Sequence, residues 1–529
     1  MIDVLLVSPD VSYPNESYPV DLISEKAADL RDREWVVNLG LLSVGSYLEN
    51  RGLNVEILDL VGTDNHFEEL TDAVRQRAPK LVGFSSVSCY SYINIGRYCA
   101  AIGDIDPNIR LIGGGQHLSA IPLTALEEIP ELDCIICGEG EEGALQVISH
   151  YFKGKQPVGV PATVARIDGR IIDQRNLCAP RVNLDDIGHI NYNLLPNFKL
   201  YCPEIEFSRG CPWSCNFCTD PMMFNGKVRF KSVDRFLDEL EHIISTYKMR
   251  PEDMRMYFTC STFGIKRSEI EQLTEGMIKR RLNGVSWRTE TRVDSPVVDY
   301  IPKLAEAGMS VLDIGLESAS PTMIQRMNKT YQDPERYLAK AEKFIARVSE
   351  FDKVVLKVNL LNHAGESPQT LGETLNFILR QREAINHISA GPVMMYPGTE
   401  LADNYEQYAA KYGTSYIGGQ FWDKVHAYKV NPSHELSFDQ LNCLDAILCK
   451  IINSERDYFA VKAHGQLPLG MQFEDWVNGN HDFDSFSRRH AIEVSGNDNA
   501  TIRSPFANLP DFAPPVTQIS RAPIAGTGA

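Results

Sequence analysis

The sequence lacks a positive balance: 52 lysines and arginines face 70 aspartates and glutamates, for a net charge of −18 at pH 7. A surface of that sign repels phosphate backbones and anionic lipid, so neither nucleic acid nor membrane is expected as a partner. No apolar run approaches the about 18 residues that a membrane-spanning helix needs. The N-terminus, MIDVLLVSPD, carries an acid at Asp3 and only a short apolar run, where a secretory signal would need a basic start and a longer core. A cytoplasmic location is the expectation. A regular cysteine spacing is missing too. Most of the 12 cysteines, such as Cys89, Cys99, Cys443 and Cys449, stand singly in apolar surroundings. They read as buried free thiols in a reducing compartment, not as a disulfide framework. Cys134 and Cys137 form a CxxC, but inside a strand-like apolar run with no further ligand nearby.

What is present is a chain of 529 residues, too long for a single core. Residues 1–150 alternate strand-like and helix-like segments. DVLLVSP, NVEILDL, KLVGFSSVS, NIRLIGGGQH and DCIICGEGE read as strands, separated by the helical patterns LGLLSVGSYLENRG and FEELTDAVRQRAP. This βαβαβ order predicts a doubly wound, flavodoxin-like parallel sheet that takes ligands at the carboxyl ends of its strands. Those ends are rich in glycine, serine or acid, and their small residues let a backbone approach a bulky ligand: Ser85, Ser86 and Ser88, then Gly113, Gly114 and Gly115 with Gln116 and His117 after them, then Gly138 and Gly140 flanking Glu139. Residues 151–200 read as a proline-containing connector with a hairpin at Asp168-Gly169. From about residue 201 to 405 a second series of roughly six strand–helix units predicts a partial or full α/β barrel of the TIM-like kind. Residues 406–494 form a mixed C-terminal region, and 495–529, rich in Pro, Ala, Asn and Gly, read as a disordered tail.

The barrel's first strand, EIEFSRG, runs directly into CPWSCNFC at 211–218. Three thiols, Cys211, Cys215 and Cys218, share this loop without a fourth. A closed structural zinc site needs four ligands, and Cys202 is the one candidate to complete it, without knuckle spacing. A cubane iron–sulfur cluster also takes four ligands. Three thiolates would leave one iron open for chemistry, and this is the preferred reading.

The loop Cys211-x3-Cys215-x2-Cys218, with Phe217 before the last cysteine, resembles the signature of radical S-adenosylmethionine enzymes. GLESAS at 315–320, the M-x-K at 327–329 and YPGTEL at 396–401 resemble further pieces of that family's barrel, so the resemblance covers about residues 204–405. It implies a [4Fe-4S] cluster on the three cysteines, with S-adenosylmethionine chelating the open iron and cleaved on reduction to methionine and a 5′-deoxyadenosyl radical. It also implies cofactor contacts from Phe217, Glu317, Ser318 and Tyr396, with Arg292 either holding the cofactor carboxylate or serving a structural ion pair. The family's Gly-Gly-Glu element is replaced here by TCSTFG at 259–264.

Residues 1–150 resemble the cobalamin-binding domain that precedes the barrel in one large subfamily, through LGLLSVGSYLENRGLNVEILDL, LVGFSSVS, LIGGGQHLSAIP and CGEGEEGAL. The combination implies methyl transfer to an unactivated carbon, less often phosphorus, of a small-molecule biosynthetic intermediate. Methylcobalamin would donate the group, and an external one-electron reductant of the flavodoxin or ferredoxin type would supply electrons. The alternatives are a cobalamin-dependent cyclase or ring-rearranging enzyme, and a cobalamin or redox sensor. The lower-ligand motif Asp-x-His-x-x-Gly has no true match: DNHFEE at 64–69 has Glu69 in place of glycine, and His66 reads as a helix-start residue. His117, after the fourth strand, is expected either to contact the corrin or to be an ordinary hydrogen-bonded histidine. No catalytic side chain is singled out.

Overall fold

The computed structural model describes residues 2–11, 35–63, 65–177 and 181–477. The tail expected at 495–529 lies outside them, as does most of the segment after the first strand.

The first sheet contains β1 (Val4–Ser8), β2 (Val55–Asp59), β3 (Leu81–Ser85), β4 (Arg110–Gly114), β5 (Cys134–Ile136), β6 (Thr163–Ile167) and β7 (Arg170–Asp173), in the order 2-1-3-4-5-6-7. The first five run parallel, with Val4 opposite both Val55 and Leu81. The last two form a hairpin that pairs antiparallel with β5, Cys134 opposite Ala165. Its turn, Asp168-Gly169, has positive φ at both residues (48° and 74°), the twist that closes a two-residue hairpin. The expected connector hairpin therefore extends the sheet.

Burial on both faces explains why β1 reads VLLVS without alternation. Val4 and Leu6 face one core with α1 (Leu39–Glu49), while Leu5 and Val7 face the other with α2 (His66–Arg77) and α3 (Tyr92–Ile105). Two short helices, α4 (Gln116–Ala120) and α5 (Pro122–Glu128), follow β4, and α6 (Glu141–Phe152) follows β5. The core around Leu6 and α1 continues through Leu194, Leu200 and Tyr201 to Ile205 and Phe207 at the start of the second unit. The two units are therefore joined by packing.

The second unit is built on β8 (Glu204–Glu206), β11 (Arg255–Thr259), β12 (Ser286–Arg292), β13 (Met309–Glu317), β14 (Val355–Asn362) and β15 (His387–Pro392). They form one parallel six-stranded sheet in chain order, with β8 and β15 as its edges. The barrel is thus partial and open. A short antiparallel pairing of β9 (Ser208–Arg209) with β10 (Arg229–Phe230) brackets the cysteine loop and the short helix α7 (Asp220–Phe224) that follows it. Amphipathic helices cover the outside. In α8 (Val233–Tyr247), Ser232 caps the N-terminus by accepting from the Arg235 N–H, and Phe236, Leu240 and Ile243 point inward. Beyond the barrel, β16 (Met394–Met395), β18 (Tyr428–Asn431) and β17 (Ser415–Tyr416) form a small antiparallel sheet, in that order. No helix among the described residues is long and apolar enough to cross a membrane.

Candidate cofactor sites at the facing sheet edges

The carboxyl ends of both sheets meet. A Cβ on Gly398, in the YPGTEL loop, would lie 2.3 Å from Met222 Sδ on α7 and 3.3 Å from Ala120 Cβ on α4. The loop after β4 therefore touches both the segment after the cysteines and the barrel's closing turn.

Gly210, immediately before Cys211, has φ +95°, and a Cβ there would fall 2.2 Å from the Lys227 carbonyl oxygen. Only glycine fits this turn. The loop beyond it is clamped by the 326–329 segment. Asn216 donates through its amide to the Arg326 carbonyl (2.9 Å), and its backbone N–H donates to the Met327 carbonyl (3.1 Å). Asn328 donates to the Ser214 carbonyl at 2.8 Å. Cys215 is buried, with the Arg292 guanidinium 3.7 Å from its Sγ, while Cys211 and Cys218 are half-buried. Burial pushes the Cys218 thiol up to about 12, helped by Asp220 and by the neighbouring thiols Cys215 and Cys211. Cys211 is raised as well, chiefly by burial.

Three thiols thus share one rigid loop, with Cys215 close enough to oppose the ionisation of Cys211 and Cys218, as suits a soft, multi-iron acceptor that takes thiolates and releases their protons. A single zinc ion would need its donors gathered about 2.3 Å from one point. Cys202, the candidate fourth ligand, is fully buried with its thiol on the Arg255 carbonyl at 3.2 Å. The zinc alternative loses its closing ligand.

Glu317 ends β13 at a register shift between Gly315 and Glu317, with φ +65°. Such a left-handed glutamate is costly, and it is held here by Lys329, whose Nζ donates to Glu317 Oε1 at 2.9 Å. Burial opposes the charge on Lys329, but Glu317 outweighs it and raises the lysine. Arg292 donates to Asp294 Oδ1 (2.9 Å) and to the Lys329 carbonyl, and stacks over Trp213 at 4.3 Å. It therefore braces the cysteine loop and already has a carboxylate partner. Ser318 is turned away, buried against Thr374 Oγ1 at 2.9 Å. Phe217 packs beside Leu401 and Val393 of the closing turn, and Tyr396 joins the aromatic cluster of Trp422 and Tyr90. In the TCSTFG segment, Thr262 Oγ1 lies 3.7 Å from Cys211 Sγ.

At the first sheet's carboxyl edge an open cavity is lined by Gly40, Leu41 and Val44 of α1, by Ala144 of α6 and by the strand ends. Ser85, Gly113, Gly114, Gly115, Gly138 and Gly140 belong to its lining; Ser86, Ser88, Gln116, His117 and Glu139 do not. Ser86 instead ties loops together through Ser91 Oγ at 3.0 Å and the Ser88 carbonyl at 3.1 Å. Gly115 (φ +92°) has its absent Cβ only 2.5 Å from the Ser86 carbonyl oxygen. Gln116 begins α4. His117 is buried, edge-on to Tyr92, and drawn down to about 4 by burial, with His426 adding to the effect. His66 shares a hydrogen bond with Tyr98 (Nδ1 to the hydroxyl, 2.6 Å) and stands 3.7 Å from Asp10. The glycine-lined, apolar cavity fits the bulky nucleotide tail of a corrin.

Glu139 and Glu141 reach the other unit. Arg209, two residues before Cys211, donates to Glu139 Oε2 (3.1 Å), Glu141 Oε1 (3.0 Å) and Glu206 Oε1 (2.8 Å). Sequence reasoning passed over Arg209; a lone basic residue beside the cysteine loop was its only signal.

A glycine-lined edge beside an open barrel with a three-thiol loop is the arrangement a cobalamin-dependent radical enzyme needs, and comparison with known proteins agrees. Residues 34–148 match the B12 binding domain and residues 205–378 the Radical SAM superfamily. The chain therefore carries a B12-binding domain ahead of a Radical SAM domain. These domains indicate cobalamin, a [4Fe-4S] cluster and S-adenosylmethionine as its cofactors. An uncharacterized methyltransferase of Pyrococcus horikoshii is 24% identical over 373 residues, covering 69% of this chain and 77% of the relative. An anaerobic magnesium-protoporphyrin IX monomethyl ester cyclase of Rubrivivax gelatinosus is 24% identical over 56% of this chain, which spans only 53% of the cyclase. The radical S-adenosylmethionine methyltransferase TsrM of Kitasatospora setae, solved with cobalamin and a [4Fe-4S] cluster, shares the fold with a TM-score of 0.60 at 17% identity, over 79% of this chain and 78% of that one.

Proposed function

We propose that this protein transfers a methyl group to an unactivated carbon of a small-molecule intermediate, with phosphorus the less favoured target. The observation that supports it is the meeting of the two units at their carboxyl edges, where Ala120 of α4 lies against Gly398 and Met222 of the barrel unit. When bound, the cofactors supply methyl carriage and radical generation. The chain's own task is to hold and orient. In this reading Cys211, Cys215 and Cys218 hold the cluster, and Arg292 and Asn216 fix their loop. Glu317, oriented by Lys329, and the Thr262 segment face S-adenosylmethionine, with Phe217 and Tyr396 at the closing turn. Ser85, Gly113, Gly114, Gly115, Gly138 and Gly140 receive the corrin's tail.

Residues 1–150 would form the cobalamin unit, 201–405 the barrel and 406–494 the substrate-side region. An external flavodoxin- or ferredoxin-type reductant supplies the electrons. Because a cyclase stands among the relatives, the product pattern decides. Turnover should yield both S-adenosylhomocysteine and 5′-deoxyadenosine. 5′-Deoxyadenosine alone would favour cyclisation, and neither product would leave a sensor.

A further inference from the structure

The cavity and the cysteine loop are joined by one ion cluster. Residues 138–141 serve both sides: Gly138 and Gly140 line the cavity, while Glu139 and Glu141 turn outward to Arg209. The centre of the cluster is buried, with side-chain exposure of 11% for Arg209 and 3% for Glu141, while Glu139, Glu206 and Arg229 lie at its partly buried edge. Ser43 of α1, next to the cavity-lining Val44, donates to Glu141 Oε1 at 2.6 Å. Arg229 of β10 pairs with Glu139 and also donates to the Val182 carbonyl. Two cations thus answer the three carboxylates of Glu139, Glu141 and Glu206. A buried cluster of this kind resists stretching, because separating any member leaves a charge without its partner. From Arg209 the chain passes through Gly210, whose conformation is fixed against Lys227, directly to Cys211.

We propose that Arg209 is a positioning residue that couples the glycine-lined cavity to the cysteine loop, so that occupancy of one site sets the affinity of the other. The inference rests on the cofactor reading above. A group that presses on Gly138 and Gly140 moves Glu139 and Glu141. Arg209 follows them, and the first cysteine follows Arg209. A merely structural staple would hold the units together without making the two binding events interdependent.

The test uses the full-length protein with its cluster reconstituted. The dissociation constant of S-adenosylmethionine is measured with and without saturating cob(II)alamin, and that of cob(II)alamin with and without S-adenosylmethionine. Linkage demands the same factor in both directions, and we expect about fivefold or more. Arg209→Gln should still bind each cofactor but with a factor near one, and Arg209→Lys should recover part of the coupling. Should Arg209→Gln prove insoluble, Glu141→Gln and Glu139→Gln remove single contacts and should each lower the factor. Independent binding in the wild type, or an undiminished factor in the variants, overturns the proposal. A wild-type protein that takes up no iron or no cobalamin would overturn it at a different point, by removing the cofactor reading on which it rests.

Discussion

Replacing Gly115 with alanine should cost the protein its corrin site. The residue sits at φ +92° and ψ 172°, a region essentially closed to other residues, where a side chain costs about 1–3 kcal/mol. The new Cβ would also lie 2.5, 2.8 and 2.9 Å from the O, C and N atoms of Ser86. These are backbone atoms that cannot swing aside, so the loops after β3 and β4 must part, at a further about 1–3 kcal/mol. Taking about 3 kcal/mol of this from binding, cob(II)alamin affinity should fall by about a hundredfold. Equilibrium dialysis with absorbance detection reads this directly. Gly114→Ala is the control, since its Cβ would meet only the Ile136 carbonyl at an ordinary 3.5 Å, and affinity should change by less than about threefold. Gly114→Leu, reaching further into the cavity, should weaken binding with the backbone intact. Equal affinities for Gly115→Ala and Gly114→Ala would refute the reasoning.

Two further variants probe the barrel. Burial raises the Glu204 carboxyl to about 7 from an ordinary 4.5, against a hydrogen bond from Thr259. The folded chain then holds a proton that the unfolded chain releases, so stability falls as pH rises from about 4.5 through 7. In chemical denaturation of the apoprotein, Glu204→Gln should therefore gain about 3 kcal/mol over wild type at pH 8, a gain that shrinks towards pH 5; a pH-independent difference would contradict this. Lys329→Met strands Glu317 beside the cysteine loop and should destabilise the apoprotein by about 3 kcal/mol, with Lys329→Arg largely sparing it. Loss of S-adenosylmethionine affinity without loss of stability would show that the pair has no structural share.

The cysteine loop was legible because its chemistry is local: Gly210, the three thiols and Phe217 all fall within residues 210–218, and Gly210 fits its turn without a side chain. The parallel sheet was legible in β1, where VLLVS is apolar on both faces. The Asp168-Gly169 turn could be read from its residues, but not its strands' pairing with Cys134, since an edge is chosen by tertiary contact. The same limit applies to side-chain direction. Ser318 and Glu317 are adjacent, yet one turns towards Thr374 and the other towards Lys329. The Arg209 cluster draws on four separated segments, and no local pattern announces it.

Metal and cofactor stoichiometry tests the central claim most directly. Anaerobically purified and reconstituted protein should carry about four irons and four sulfides per chain, with equimolar cobalamin. Replacing Cys211, Cys215 and Cys218 together by alanine should abolish the iron and its brown colour while leaving the cobalamin. Stoichiometric zinc in the wild type, with iron reconstitution failing, would contradict the account.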